Sequence, residues 1–266
     1  ERIKEIQQNS WGNPSNIHNI GIKSSEILER SRWSISNLLD AEYNDIIFTS
    51  GATESIHLAI IGTATKLTPG RIVISSIEHP AVFGAAMYLC KLGWDIEFWP
   101  VDNRGNIDLS LIDKFLSYPT KLVSIIWAQS EIGTIQPIEL IGKECMKRNI
   151  IFHTDASQYI NHGSISWKNL SVDLLSASAH KFRGPKGIGF LLLKQRKDFK
   201  LNPIFFGGNQ ENGIRPGTES VELIAGMDVA LKFIRSEEYL NKDQILDINT
   251  RIKFITNELR NKLSDL

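Results

Sequence analysis

A regular alternation between residues 46 and 152 limits the folds open to this sequence more than any other feature. Short, often β-branched apolar runs lie at 46–48, 71–75, 94–99, 122–127 and 150–152. Between them come segments of helical spacing at 56–67, 81–92 and 138–148, with a shorter one at 109–116. Short apolar runs bounded by turn residues read as strands, and the longer periodic segments read as helices. The alternation predicts an α/β fold, a mostly parallel sheet covered by helices on both faces. Right-handed crossovers then bring the strands' C-terminal ends to one edge of the sheet. Further amphipathic helices are predicted at 24–39, 219–235 and 243–263.

The residues that follow each strand are polar and chemically capable. After 46–48 comes Thr49-Ser50-Gly51-Ala52-Thr53-Glu54-Ser55, small residues opening a helix. Free backbone N–H groups at a helix N-terminus bind phosphate, although simple N-capping by Ser50 or Thr53 accounts for the same residues. It is neither a Walker A loop nor a dinucleotide fingerprint. His79 follows the second strand just before Pro80, either as a ligand contact or as a helix cap. Ser130 lies in Gln129-Ser130-Glu131. Asp155, with Gln158 three residues on, ends the strand at 150–152, where the carboxylate serves a ligand or an Asx-turn. A metal held by His153 and Asp155 lacks a clustered third ligand in the sequence.

Two more apolar runs, 172–175 and 188–193, flank Ser176-Ala177-Ser178-Ala179-His180-Lys181-Phe182-Arg183-Gly184-Pro185-Lys186-Gly187. Gly184-Pro185 forces a turn between two strands, so Lys181 stands on a tight connection. An isolated lysine there reads as solvated. One beside His180 and Ser178 suggests amine chemistry next to an anion.

The chain has 30 basic and 30 acidic residues and a net charge of zero, so no global field recruits nucleic acid. No apolar run spans a bilayer, and no membrane partner is expected. Cys90 and Cys145 form no C-x-x-C pair, which predicts a reduced, cytoplasmic setting and no metal site.

Seven motifs in order carry a family likeness: 50–55 (SGATES), 78–82 (EHPAV), 131–137 (EIGTIQP), 153–158 (HTDASQ), 178–181 (SAHK), 184–189 (GPKGIG) and 215–218 (RPGT). Together they resemble the cysteine desulfurases, in the class-V aminotransferase branch of fold-type-I enzymes dependent on pyridoxal 5'-phosphate (PLP). The resemblance implies the large domain of that fold, with a seven-stranded sheet, over residues 1–235. Residues 236–266 would lead into a smaller C-terminal domain. It further implies that Lys181 bonds the cofactor's aldehyde and moves protons at the substrate Cα. Asp155 would pair with the pyridine nitrogen, His79 would lie over the ring and act in catalysis, and Gln158 would bond the phenolic oxygen. Ala52, Thr53, Ser178 and His180 would hold the phosphate. Thr218 would reach the phosphate of a partner subunit, which implies a homodimer. The implied substrate is L-cysteine, with sulfur passed to an acceptor or scaffold protein, as in iron–sulfur cluster assembly.

Two departures accompany the likeness. The family has Asn-Asn-Glu where this chain has Gln129-Ser130-Glu131, so Ser130 offers the cofactor a shorter group without an amide. The family's nucleophilic cysteine and its substrate-clamping arginine fall beyond Leu266, and the start of its N-terminal segment falls before Glu1. Two alternatives stand beside the desulfurase. One is another class-V enzyme, namely a selenocysteine lyase, a cysteine lyase or a small-amino-acid aminotransferase. The other is a non-catalytic fragment that only dimerises or binds a partner.

Overall fold

The computed structural model describes residues 1–196, 199–236, 254–259 and 261–262. Seven strands form one sheet: β1 (Ile46–Thr49), β2 (Arg71–Ser75), β3 (Asp95–Trp99), β4 (Thr120–Ile126), β5 (Ile151–Asp155), β6 (Leu174–Ser178) and β7 (Gly189–Leu193). Their spatial order is β1-β7-β6-β5-β4-β2-β3. β7 runs antiparallel to both neighbours, and every other pairing is parallel. The sheet is therefore mostly parallel, as the alternation requires.

Successive side chains of each strand go to opposite faces and build two apolar layers. Phe48, Val73, Val123, Phe152, Leu175 and Phe190 belong to one cluster. Ile47, Ile72, Leu122, Ile151, Leu174 and Leu191 belong to the other. The first layer is covered by α1 (Arg2–Asn9), α2 (Asn19–Leu38), α6 (Ile138–Lys147) and α7 (Val221–Arg235); the second by α3 (Ala52–Ala64) and α4 (Pro80–Cys90). A single turn of helix, α5 (Ile112–Phe115), precedes β4.

Four boundaries differ from those expected for a local reason. α2 starts at Asn19 because His18 caps it, Nδ1 accepting from the Gly21 amide at 3.1 Å. α3 starts at Ala52, so residues 52–55 are its first turn and not a loop before it. β5 runs on to Asp155 and β6 to Ser178 because their polar side chains find partners inside the sheet. His153 is fully buried, with Nδ1 2.8 Å from Ser124 Oγ on β4 and Nε2 2.9 Å from Ser176 Oγ on β6. Thr154 Oγ1 donates to the Ile125 carbonyl. The helix expected at 243–263 lies mostly outside the described residues; 254–259 and 261–262 are helical.

Candidate active site

β1, β2, β4, β5 and β6 run the same way, so the segments leaving their C-terminal ends meet at one edge of the sheet. There they wall a cavity of about 490 Å³. Of the ten expected site residues, nine line it: Ala52, Thr53, His79, Ser130, Asp155, Gln158, Ser178, His180 and Lys181. The tenth, Thr218, is exposed and does not line it.

The α3 end of the cavity is built for an anion. Gly51 is the N-cap, with φ of 153°, and no side chain caps the helix. The amides of Ala52, Thr53 and Glu54 thus have no intrahelical acceptor, and the helix dipole adds positive potential. The capping alternative for Ser50 and Thr53 finds no such bond here. A Cβ on Gly51 would sit 3.5 Å from Ser178 Oγ, so β6 presses its last side chain against this cup. Ser178 Oγ is 2.9 Å from His180 Nδ1. Burial, then the charges of Lys181 and Lys186, lower the His180 pKa and favour its neutral ring.

Lys181 stands in a 3₁₀ turn, Ala179–Phe182, that follows β6 directly. The turn ends with Arg183 in the left-handed region at φ 66°, and the Gly184 amide closes it onto the Ala179 carbonyl at 2.9 Å. Across the cavity, Asp155 is 4% exposed and its Oδ1 accepts from the Ser157 amide at 2.9 Å. The Asx-turn expected as an alternative is therefore present, and Asp155 still lines the cavity. Burial raises the Asp155 pKa, against the Ser157 hydrogen bond and the charges of His79 and Lys181. Likewise His79 caps α4, Nδ1 accepting from the Ala81 amide at 3.1 Å, and also lines the cavity. The two readings of each residue are compatible. His153, by contrast, has both ring nitrogens engaged by hydroxyls, and among the described residues no three His, Cys, Asp or Glu side chains cluster to hold a metal.

Other contributors carried no distinct signal in the sequence. Glu54 joins the α3 turn to the 215–218 segment: Arg215 Nε donates to Oε1 at 2.7 Å and the Ser50 amide to Oε2 at 2.8 Å. Glu78, beside His79, is 6% exposed and faces the same cavity. Cys90 is exposed, Cys145 is buried, and neither lines the cavity.

This fold, with an amine, a buried carboxyl and an anion cup around one cavity, defines a class, and the sequence comparisons agree. The profile of the Aminotransferase class-V family matches residues 1–261, and the chain belongs to that family. Within it the chain is a member of the cysteine desulfurase group, as its relatives show. It is 40% identical to "Cysteine desulfurase IscS" of Dictyoglomus turgidum, over 100% of this chain and 67% of that protein. It is 41% identical to "Cysteine desulfurase IscS 1" of Archaeoglobus fulgidus, over 85% of this chain and 59% of that protein. It is 37% identical to "Cysteine desulfurase, mitochondrial" of Candida maltosa, over 95% of this chain and 53% of that protein. The chain thus spans between about half and two thirds of the length of these relatives. Among solved structures, a "NifS-like protein" superposes with a TM-score of 0.88 at 33% identity, covering 99% of this chain and 71% of that one. "SspA in complex with cysteine" gives 0.85 at 35% identity, covering 94% and 73%.

The family depends on PLP, and the residues present fit that group. Its phosphate suits the uncapped α3 N-terminus, its aldehyde suits the Lys181 amine, and its ring nitrogen supplies the cation that buried Asp155 calls for.

Proposed function

We propose that residues 1–235 are the PLP-binding domain of a cysteine desulfurase, with 236–266 leading into a smaller domain. One observation carries this reading: Lys181, Asp155 and the α3 N-terminus, from three separate elements, meet in one cavity. In the reaction the Cβ–Sγ bond of L-cysteine breaks, L-alanine forms, and the sulfur leaves on a protein thiolate as a persulfide for an acceptor. The bound cofactor supplies an electron sink for the negative charge that develops at the substrate Cα.

The chain's own residues have distinct tasks. Lys181 would hold the cofactor through its aldehyde and carry protons at the substrate Cα. Asp155 would pair with the ring nitrogen, whose positive charge would favour the ionised carboxylate and so keep the ring protonated. His79 and Gln158 line the cavity, where His79 would lie against the ring and Gln158 would donate to the phenolic oxygen. The amides of Ala52 and Thr53, with Ser178 and His180, hold the phosphate. Ser130 would offer the cofactor a hydroxyl in place of the family's amide. Neither Cys90 nor Cys145 is the nucleophile, since neither lines the cavity. Thr218, exposed on a loop that Arg215 anchors to Glu54, reaches the phosphate of a partner subunit in a homodimer. The acceptor is a protein of iron–sulfur or other sulfur-cofactor assembly, and the setting is cytoplasmic.

The full-length protein with PLP should release equimolar alanine and transferable sulfur from L-cysteine, and Lys181→Ala should release neither. Pyruvate and ammonia as products, or turnover of selenocysteine alone, would overturn the desulfurase reading and favour another class-V activity. No product from either amino acid with PLP bound would favour a non-catalytic domain.

A further inference from the structure

Glu78 closes the β2 end of the cavity, and its carboxyl is satisfied on one side only. Oε1 accepts from Ser75 Oγ at 2.5 Å and from the Ile126 amide at 2.6 Å. Oε2 is buried and has no hydrogen-bond partner among the described residues. An ionised carboxylate spreads its charge over both oxygens and demands donors at each. Leaving one bare inside the protein costs far more than leaving a neutral hydroxyl there. The pattern seen, two donors on one oxygen and none on the other, is that of a carboxylic acid, with a carbonyl-like Oε1 and an Oε2–H.

The groups around it point the same way. Asp155 on β5 lines the same cavity, and two neighbouring carboxyls buried together do not both ionise. Burial raises the Asp155 pKa too, but Asp155 has the Ser157 amide and the charges of His79 and Lys181 to offset it. Glu78 has the negative charge of Asp155 against it, and burial adds to that, pushing its pKa up to about 8. The other charged groups lining the cavity are Glu54, Glu131 and Lys186. Glu54 is held by Arg215, and none of the three is bonded to Glu78.

We infer that Glu78 is a neutral carboxylic acid in the resting protein, a positioning residue that pins the turn bearing His79 to β4 and adds no second negative charge beside Asp155. This rests on the PLP reading only for its use, since a second negative charge would compete with Asp155 for the cationic ring nitrogen. The protonation itself is a property of the protein without cofactor.

Infrared spectra of cofactor-free protein, labelled with carbon-13 at glutamate and compared with Glu78→Gln, test it. A protonated-carboxyl C=O band should be present at neutral pH, absent in the variant, and lost with a midpoint near 8. Its absence at neutral pH, with only carboxylate bands, overturns the inference. Stability gives a second reading. The raised pKa means that the proton's contribution is complete below the ordinary value of 4.5 and is lost as pH rises to about 8. The Tm advantage of the parent over Glu78→Gln should therefore shrink across that window and stay constant above it. A difference independent of pH would contradict the inference. With PLP, Glu78→Gln should keep the parent's affinity within a factor of about 3 at neutral pH, whereas loss of a true charge beside Asp155 would change it by about 10-fold or more. Failure of the parent to bind PLP would instead count against the cofactor reading and leave the infrared result standing.

Discussion

His153 and Asp155 lie on one face of β5, two residues apart, and both are buried, yet their surroundings differ. His153 faces two hydroxyls and no carboxylate, and burial pulls its pKa down to about 3. The neutral ring cross-links β4, β5 and β6. Because its folded pKa lies below the ordinary 6.5, the unfolded chain binds the extra proton between those values. Stability from this group is complete above pH 6.5 and is lost as pH falls toward 3. His153→Gln should lessen that acid sensitivity by up to about 1.4 kcal/mol per pH unit, seen in denaturant midpoints taken across the window. It should also cost about 1–3 kcal/mol at neutral pH if either serine loses its partner. Asp155 has cations nearby and a place in the cavity wall. Asp155→Asn keeps the shape and the Ser157 contact but removes the charge. It should lower alanine formation about 100-fold or more in steady-state assays, with a smaller effect on PLP binding.

At the scale of elements, the anion cup depends on how closely β7 passes α3. A Cβ on Gly189 would lie 2.5 Å from the Ala177 carbonyl and 2.7 Å from Gly51 Cα. Neither backbone atom can yield cheaply, so Gly189→Ala should destabilise the fold by about 1–3 kcal/mol and weaken PLP binding, read by thermal melts and by titration. This contact joins residues 138 positions apart and is invisible to periodicity. Strand order was likewise not legible beyond "mostly parallel", because the antiparallel insertion of β7 between β1 and β6 is a tertiary choice. What periodicity did read was the set of elements, since each strand carries an apolar run. It misjudged their ends where polar residues pair across the sheet, as His153 does with Ser124 and Ser176. The candidate site was legible because its residues follow strands directly. Glu78 was passed over because nothing in a sequence separates a buried acid from an exposed one. Glu54 and Arg215, 161 positions apart, give no local sign of their pairing.

For the whole molecule, two ion pairs among the described residues tie down the 211–215 part of the segment between β7 and α7. Arg32 of α2 makes a two-pronged pair with Glu211, whose Oε2 also accepts from the Phe48 amide at 2.9 Å. Arg215 pairs with Glu54 at the anion cup. The first anchor holds this segment to edge strand β1, and the second holds it to the anion cup. The central claim is that this edge is assembled around a lysine and a cofactor aldehyde. Absorbance spectra of the protein with added PLP, taken beside Lys181→Ala, test it most directly. The account predicts a near-visible band of protein-bound cofactor in the parent, resistant to gel filtration, and its loss in the variant while phosphate-anchored PLP still binds weakly. The same band in both proteins would place the covalent bond on another residue and contradict the account.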